Sequence, residues 1–530
     1  MPFLANCAGG GGGVPNASQT TLIAEPLPTV DTSPVPVGNT ASALPEGWQA
    51  GPFMQIYVRG YQDSDGDGIG DLRGLIQRLD YLKDLGVGGL WLMPVTQSQD
   101  NNHGYAVSNY RAIEAQYGTL ADFDELLRQA HARGIGVIID YVMNHSGTRH
   151  PAFLNSRAGS GNAFRDWYLW QGTKPAGWNI YNSDPWRAES TGFYFAPFSV
   201  DMPDFNLTNA AVVNWHHDNL RFWLNRGVDG FRFDAVGHLV ENGPNAWDNQ
   251  PQNHPLMGAV RGTINGYANR TMVCESPADP LGFTATTSCG SAFAFGLHTQ
   301  LLRAAQGDPA ALQNVAGYFK TAPHSLATLL SNHDQFAGAR PWDQLGGNLA
   351  QLKLAATMVL TLPGVPFVYY GEEIGMSAGA GLTGDSSLRA PMSWAGDPVR
   401  AGFTTGTPFR TPAANAATQN VAAQQADAQS LLAHYRALIQ LRRARPSLAR
   451  GSYERANAEG GGLTFQRKLN GEESLVAINT GEAARSAISN LTPGARYRVL
   501  WPVSDTSVTV APNGALTLDM PARGARLLAP

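Results

Sequence analysis

The sequence predicts an α/β protein: a parallel (β/α)8 barrel, a subdomain inserted after the third strand, and a C-terminal antiparallel β-sandwich. Three observations carry this. From about residue 50 to 445, short apolar β-rich runs alternate with segments of helical period, the pattern of repeated βα units around a parallel sheet. The rhythm breaks once, over 145–208, where the chain becomes aromatic and turn-rich. From about 450 it changes to short alternating segments without helices. A chain of 530 residues suits such a multi-domain arrangement.

The elements follow in order. "MQIYV" (54–58) alternates and is rich in β-formers, so it reads as the first strand. Leu72, Leu75, Ile76, Leu79, Leu82 and Leu85 lie on one stripe of the helix after it. "GLWLMPV" (89–95) is a buried parallel strand. "LADFDELLRQAHARG" is a helix stopped at Gly134, and "GVIIDYVMN" (136–144) is the third strand. After the excursion come the helix "NAAVVNWHHDNLRFWLNRG" and the strands "GFRFDA" (230–235) and "TMVCES" (271–276). "AFAFGL" (292–297) is the choice for strand six. "LATLLSNHD" (326–334) and "PFVYYGEE" (366–373) complete the ring, with helices over 348–362 and 429–444. Pro363, Gly364 and Pro366 split the apolar run 354–371 into a helix end, a turn and a strand, so it is not a membrane span. "LTFQRKL", "SLVAINT", "RYRVLW", "SVTVAP" and "RLLAP" supply the sandwich. The expected bounds are a disordered tail over 1–45, the barrel over 46–144 and 209–448, the insert over 145–208 and the sandwich over 449–530.

Net charge of −5, a pI near 6.2 and the lack of any Lys/Arg block argue against a nucleic-acid partner. The 12 Trp, 17 Tyr and 21 Phe suit a stacking ligand such as a sugar, although core packing accounts for most of them. Three cysteines imply no disulfide framework; Cys274 and Cys289 can pair or stay free. Cys7 stands in "FLANCAGGGGG", before a Pro/Ser/Thr-rich tract reaching Pro45. Leu4-Ala5-Asn6-Cys7 resembles the end of a bacterial lipoprotein signal, and the glycine run its tether. The expected location is therefore extracytoplasmic, secreted or anchored to a membrane through Cys7 alone. A plain disordered tail is the alternative.

"QDSDGDGIGDLRG" (62–74) carries most of a calcium loop. Asp63, Asp65, Asp67 and Asp71 stand at positions 1, 3, 5 and 9, and Ile69 offers a backbone carbonyl at position 7. An EF-hand also requires a bidentate Glu at position 12, which here is Gly74, and a preceding helix, which here is a strand. The EF-hand reading fails. A structural calcium loop between a strand and a helix remains, with a solvated acidic turn as the alternative.

The active end of such a barrel lies at the C-terminal ends of its strands. Asp140, Asn144 and His145 close strand three, Arg232 and Asp234 lie on strand four with His238 after them, Glu275 ends strand five, and His333 and Asp334 end strand seven. In "GFRFDAV" a period of two puts Arg232 and Asp234 on one face and Phe231 and Phe233 on the other. An Arg beside Asp234 keeps that carboxylate ionised, as a nucleophile requires. Glu275, in the apolar "MVCES", is placed to stay protonated as a general acid. That pairing is the machinery of glycoside hydrolysis, and Asp334 adds a third carboxylate to stabilise a positively charged transition state.

The chain resembles the α-amylase family of glycoside hydrolases over nearly everything from residue 50 onward. "DYVMNH", "GFRFDAVGH", the Glu of "VCES" and "SNHD" resemble its four main signature segments, in order. "GLWLMPV", "MPDFN" and "GVPFVYYGEE" resemble its accessory ones, and "HGYAVSNY" and "RAPMSW" match further stretches. The resemblance implies retaining cleavage of α-glucosidic bonds, with Asp234 as nucleophile, Glu275 as acid/base and Asp334 as transition-state stabiliser. It implies that Arg232 positions Asp234, that Asp140, His145 and His333 hold the sugar, and that Tyr105 stacks on it. The 63–71 loop is similar to a metal loop of the oligo-1,6-glucosidase branch. Asn144 implies a second, weaker calcium site whose partner aspartate in the insert the sequence does not reveal.

"MPDFN" is intermediate between oligo-1,6-glucosidase-like and neopullulanase-like forms, in a group rich in α-amylases. The expected activity is endo-acting hydrolysis of α-1,4-glucans and maltooligosaccharides. Gly237 departs from the family, which often has Lys there, while His238 is kept; this leaves the leaving-group side open. An exo-acting α-glucosidase or a glucan transferase is the first alternative. A catalytically inactive binding protein on this fold is the second, opposed by the presence of all three carboxylates.

Overall fold

The computed structural model describes residues 27–530. Cys7 and the glycine run lie outside these residues. Seven parallel strands pair in the order five, four, three, two, one, eight, seven. They span Thr271–Cys274, Gly230–Phe233, Gly136–Tyr141, Gly89–Leu92, Phe53–Ile56, Val365–Tyr369 and Ala327–Thr328. Strand six closes the ring by two parallel bridges, Cys274 to Ala292 and Phe293 to Ala327, at the site expected from "AFAFGL". Strands four and five run in register from Gly230 with Thr271 to Phe233 with Cys274.

Side chains, not solvent, fill the ring. Trp48, Phe53, Trp91, Phe293 and Phe367 form one buried cluster inside it, with Phe53 and Phe367 stacked at 4.7 Å. Phe231 and Phe233 face outward into the helix layer, where Phe231 meets Tyr141 at 5.8 Å. Arg232 faces inward, as the period of two requires.

The helices start and stop where their caps dictate. Leu120–Ala132 opens on a reciprocal capping box between Thr119 and Asp122. Ala210–Arg226 opens on the Asn209 side chain and ends at Gly227 in the left-handed region. The leucine stripe of 72–85 is not one helix. It breaks at Arg78 into Leu72–Gln77 and Leu79–Leu85, and the Arg78 guanidinium sits 4.0 Å from the Trp394 ring centre.

Three further features add to the sequence reading or change it. A hairpin of Thr96–Ser98 and Val107–Ile113 follows strand two and carries Tyr105 at its turn. Residues 27–45, expected within a loose tail, lie along the barrel: Val35 N donates to Asp218 at 2.8 Å, Gly38 N to Asn225 at 2.8 Å, and Arg270 Nη2 to Ala41 O at 3.0 Å. Backbone groups of a proline-rich strap find side-chain partners there, which fixes it without secondary structure. Cys274 and Cys289, left open by the sequence, are disulfide-bonded.

The insert contains the helix Pro151–Ala158 and a three-stranded antiparallel sheet of residues 170–195. The C-terminal region pairs a six-stranded sheet with a two-stranded one, Ala484–Ile488 with Leu516–Met520. Leu475, Ile488, Tyr497, Leu516 and Leu528 form the core between them, which is the expected sandwich. Among the described residues no helix is long and apolar enough to cross a membrane.

Candidate active site

Strands three, four and five each deliver a carboxylate to one guanidinium. Arg232 Nη1 donates to Asp140 Oδ1 at 2.9 Å and to Asp234 Oδ1 at 2.7 Å, and Nη2 meets Glu275 Oε2 at 2.7 Å. Trp91 covers the guanidinium, 5.1 Å from the ring centre. The sequence reading gives Arg232 to Asp234 alone. Shared among three buried carboxylates, it does not offset their loss of water. Burial pushes Asp234 up to about 6 and Glu275 up to about 7, with Arg232 opposing in both cases. Glu275 Oε2 also accepts from Ala235 N at 3.1 Å, while Oε1 has no partner.

Asp334 reaches the same space from strand seven. Its Oδ1 accepts from Arg389 Nη2 at 2.8 Å, and His333 Nε2 lies 3.1 Å from Oδ2. Burial pushes Asp334 up to about 7, against Arg389. Gln55 Nε2 stands 2.7 Å from His333 Nδ1 and can only donate to it, so His333 carries its proton on Nε2, toward Asp334 and the Tyr105 hydroxyl 2.7 Å away. Tyr105 OH in turn donates to Asp140 Oδ2 at 2.9 Å.

Above this layer opens a cavity of about 780 Å³, lined by Asp234, Glu275 and Asp334 together with Tyr105, His145 and His238. Burial pulls His145 down to about 3, so it is a neutral donor and acceptor, and its Nε2 has no protein partner. Asp140 and His333, expected to touch the sugar, are not part of the wall. They lie buried with Arg232 beneath it, Asp140 held by Arg232 and Tyr105, and His333 flanked by Gln55 and Tyr105. Tyr105 lines the wall, with the His333 ring stacked on it at 5.6 Å. Sequence reasoning missed Arg389, Tyr181, Phe198 and Trp247 in the wall. Arg389 stood in a matched stretch, "RAPMSW"; the aromatics sit in loops without period.

A model of the alpha-amylase catalytic domain matches residues 55–451. The chain belongs to the alpha-amylase family of glycoside hydrolases. It is 33% identical over 443 residues to Alpha-amylase 3 of Dictyoglomus thermophilum, covering 81% of this chain and 84% of that one. It is 31% identical over 510 residues to an oligo-1,6-glucosidase of Parageobacillus thermoglucosidasius, covering 82% and 90%. Crystal structures of an alpha-amylase from H. orenii and of an alpha-glucosyl transfer enzyme each match with a TM-score of 0.79, at 31% and 30% identity, over 91% of this chain and 99% of theirs. The oligo-1,6-glucosidase relative is consistent with the intermediate oligo-1,6-glucosidase/neopullulanase-like branch expected from "MPDFN".

In this family member the 63–71 loop follows strand one through a helical turn, Val58–Tyr61, where the sequence reading runs the strand on to Val58. Asp63, Asp65 and Asp71 bring ligand oxygens within 4.8 Å of one another. Asp67 is outside that group; it caps the loop by accepting from Ile69 N at 2.7 Å. Asp63 accepts from the N–H of Asp65, Gly66 and Gly68 and from the Thr404 hydroxyl. Burial alone would raise its pKa, but these bonds hold it below the ordinary range. Gly68 has φ +91, and a Cβ there would lie 1.9 Å from Thr407 O, so only glycine lets the loop dock. The donor set is oxygen-only and contains no Lys or Arg, which fits a calcium ion.

Asn144 lies at the junction of barrel and insert, where it faces Asp204 of "MPDFN". Asp204 is buried, and neither of its carboxylate oxygens has a hydrogen-bond partner. Burial and the facing Glu241 push it well above the carboxylate range, and burial pushes Glu241 up to about 8.

Proposed function

We propose that the protein is a retaining, endo-acting α-amylase that hydrolyses α-1,4-glucosidic bonds in starch and maltooligosaccharides. The observation that carries this is the sharing of Arg232 by Asp234 and Glu275. Both carboxylates bind nitrogens of one guanidinium, so they are close. An inverting pair must stand about 6.5–9.5 Å apart to hold a water between them. The close pair favours direct attack instead. Asp234 attacks the anomeric carbon as Glu275 gives its proton to the departing glycosidic oxygen, forming a glycosyl-enzyme and a free sugar end. Glu275, now charged, takes a proton from an incoming water, and that water displaces Asp234. Asp334, against Arg389, faces the positive charge that develops on the ring. His145 donates to sugar hydroxyls.

A cavity of about 780 Å³ holds more than one sugar ring, in line with an internal site of attack. The exo-acting or transferring alternative has support from relatives named oligo-1,6-glucosidase and alpha-glucosyl transfer enzyme. A product time course on starch and on maltoheptaoside blocked at its non-reducing end separates them. The endo reading expects a spread of oligosaccharides and cleavage of the blocked substrate; glucose as the sole early product overturns it.

Calcium belongs in the same proposal. Asp63, Asp65 and Asp71 would hold one ion, which would fix the turn between strand one and its helix. Asn144, Asp204 and Glu241 would hold a second between barrel and insert. The Cys274–Cys289 disulfide supports an oxidising, extracytoplasmic setting.

A further inference from the structure

The two carboxylates of the proposed reaction stand at the ends of strands that are held differently. Strand four, which delivers Asp234, pairs in register on both sides, with strand three and with strand five. Strand five, which delivers Glu275, has a ladder only on the strand-four side. On its other side strand six gives no ladder, only the bridge from Cys274 to Ala292. Glu275 leans the same way. Its N–H donates to Phe233 O at 3.0 Å, and its carbonyl accepts from Val236 N at 3.1 Å. Among the described residues, two backbone hydrogen bonds cross this seam: Cys274 N to Ser291 O and Phe293 N to Cys274 O, both at 3.1 Å. Both belong to Cys274, the residue before Glu275.

The same residue carries the disulfide to Cys289. Both cysteines are buried, at 0% and 1% exposure, and neither lines the cavity. Cys289 is itself fixed, because its loop is seated on the helix Asn253–Asn265. Arg261 Nη1 donates to Thr286 O at 2.6 Å, and His254 Nδ1 stands 3.2 Å from Ser288 Oγ. A Cβ on Gly258 would lie 2.4 Å from Thr287 O, so the loop reaches the helix backbone. The three residues before Cys289 thus rest on one helix, and the disulfide ties the end of strand five to that support. A proton donor must meet the departing oxygen within hydrogen-bond reach. A misplacement of about 1 Å can cost on the order of a hundredfold in rate, so a one-sided strand is a weak mount for such a group.

We propose that the Cys274–Cys289 disulfide positions the acid/base, standing in for the ladder that strand six does not supply and fixing the end of strand five so that Glu275 meets the glycosidic oxygen. The proposal rests on the reading of Glu275 as acid/base. The two cysteines are positioning residues. A bridge across 15 residues also restrains the unfolded chain, so a purely stabilising cross-link is the rival role.

The test compares maltoheptaose, whose cleavage needs the acid, with α-glucosyl fluoride, whose first step does not. In Cys274→Ala with Cys289→Ala, kcat/KM for maltoheptaose should fall at least about tenfold while kcat/KM for the fluoride stays within about twofold. Turnover of the fluoride at saturation should fall too, because release of the sugar needs Glu275 as base. Azide should restore that turnover: it attacks the anomeric carbon, the Asp234 carboxylate leaves, α-glucosyl azide forms and no proton moves. Cys274→Val with Cys289→Ala refills the space and should give the same pattern. Reduction of the folded wild type with tris(2-carboxyethyl)phosphine, followed by a free-thiol count, reads the same ratio without a substitution. A ratio within about twofold of wild type, or equal losses on both substrates with a lowered Tm, overturns the positioning role and leaves a stabilising cross-link. Glu275→Gln is the reference. If its ratio matches wild type, the acid/base reading falls, and this proposal with it.

Discussion

Two clusters of carboxylates stand on the same rim of the barrel and behave oppositely. Asp140, Asp234 and Glu275 surround a buried guanidinium that belongs to the chain. Asp63, Asp65 and Asp71 surround a space with no cationic side chain in their loop. In the first, one positive charge is divided among three buried acids, so burial prevails and the protons stay on to near-neutral pH. In the second, backbone N–H groups stabilise the charged form of Asp63. The residue types are the same. Depth and the count of built-in positive charge separate the cluster that holds its protons from the one whose charge is stabilised, the seat we propose for calcium.

The largest effect should come from Asp234→Asn, which removes the nucleophile while leaving the Arg232 contact nearly isosteric. Turnover of maltoheptaose should fall by more than about a thousandfold with an unchanged melting curve. Residual wild-type turnover would take Asp234 out of the mechanism. Next is Arg232→Met. Leaving buried acids without their partner should cost about 3–5 kcal/mol of stability by denaturant titration. A midpoint like that of wild type would mean the carboxylates do not depend on Arg232.

The pH profile is a finer probe. On the proposed mechanism Asp234 must be charged and Glu275 protonated. Activity should therefore rise as pH climbs through about 6, where Asp234 loses its proton, and fall above about 7, where Glu275 does. A flat kcat/KM from pH 5 to 9 contradicts that assignment. The smallest effect belongs to the loop. Chelation, or Asp65→Ala, should lower Tm by about 2–4 °C and change turnover only secondarily. An unchanged Tm with and without calcium would mean the loop holds no ion.

Much of this was legible in the sequence because strands write their faces with a period of two. Arg232 and Asp234 inward, Phe231 and Phe233 outward, follow from "GFRFDA" alone. The strand-end rule likewise gathered Glu275 and Asp334. Depth is not written that way: nothing in "DYVMNH" or "SNHD" says that Asp140 and His333 lie beneath the wall rather than in it. Loops have no period, so Tyr181 and Trp247 gave no sign of converging on His238. Asp204 stood in a recognised segment, but the role proposed for it depends on Glu241 meeting it from another loop. The break at Arg78 and the docking of residues 27–45 are tertiary choices, made by Trp394 and by Asp218 and Asn225.

The central claim is that Asp234 forms a covalent bond to the sugar and Glu275 frees it. Glu275→Gln incubated with α-glucosyl fluoride tests this most directly, because fluoride departs without an acid while release of the sugar still needs a base. The expected result, read by peptide mass spectrometry, is one glucosyl residue on the peptide that contains Asp234. An unmodified peptide together with steady release of β-glucose would show that water attacks directly and would contradict it.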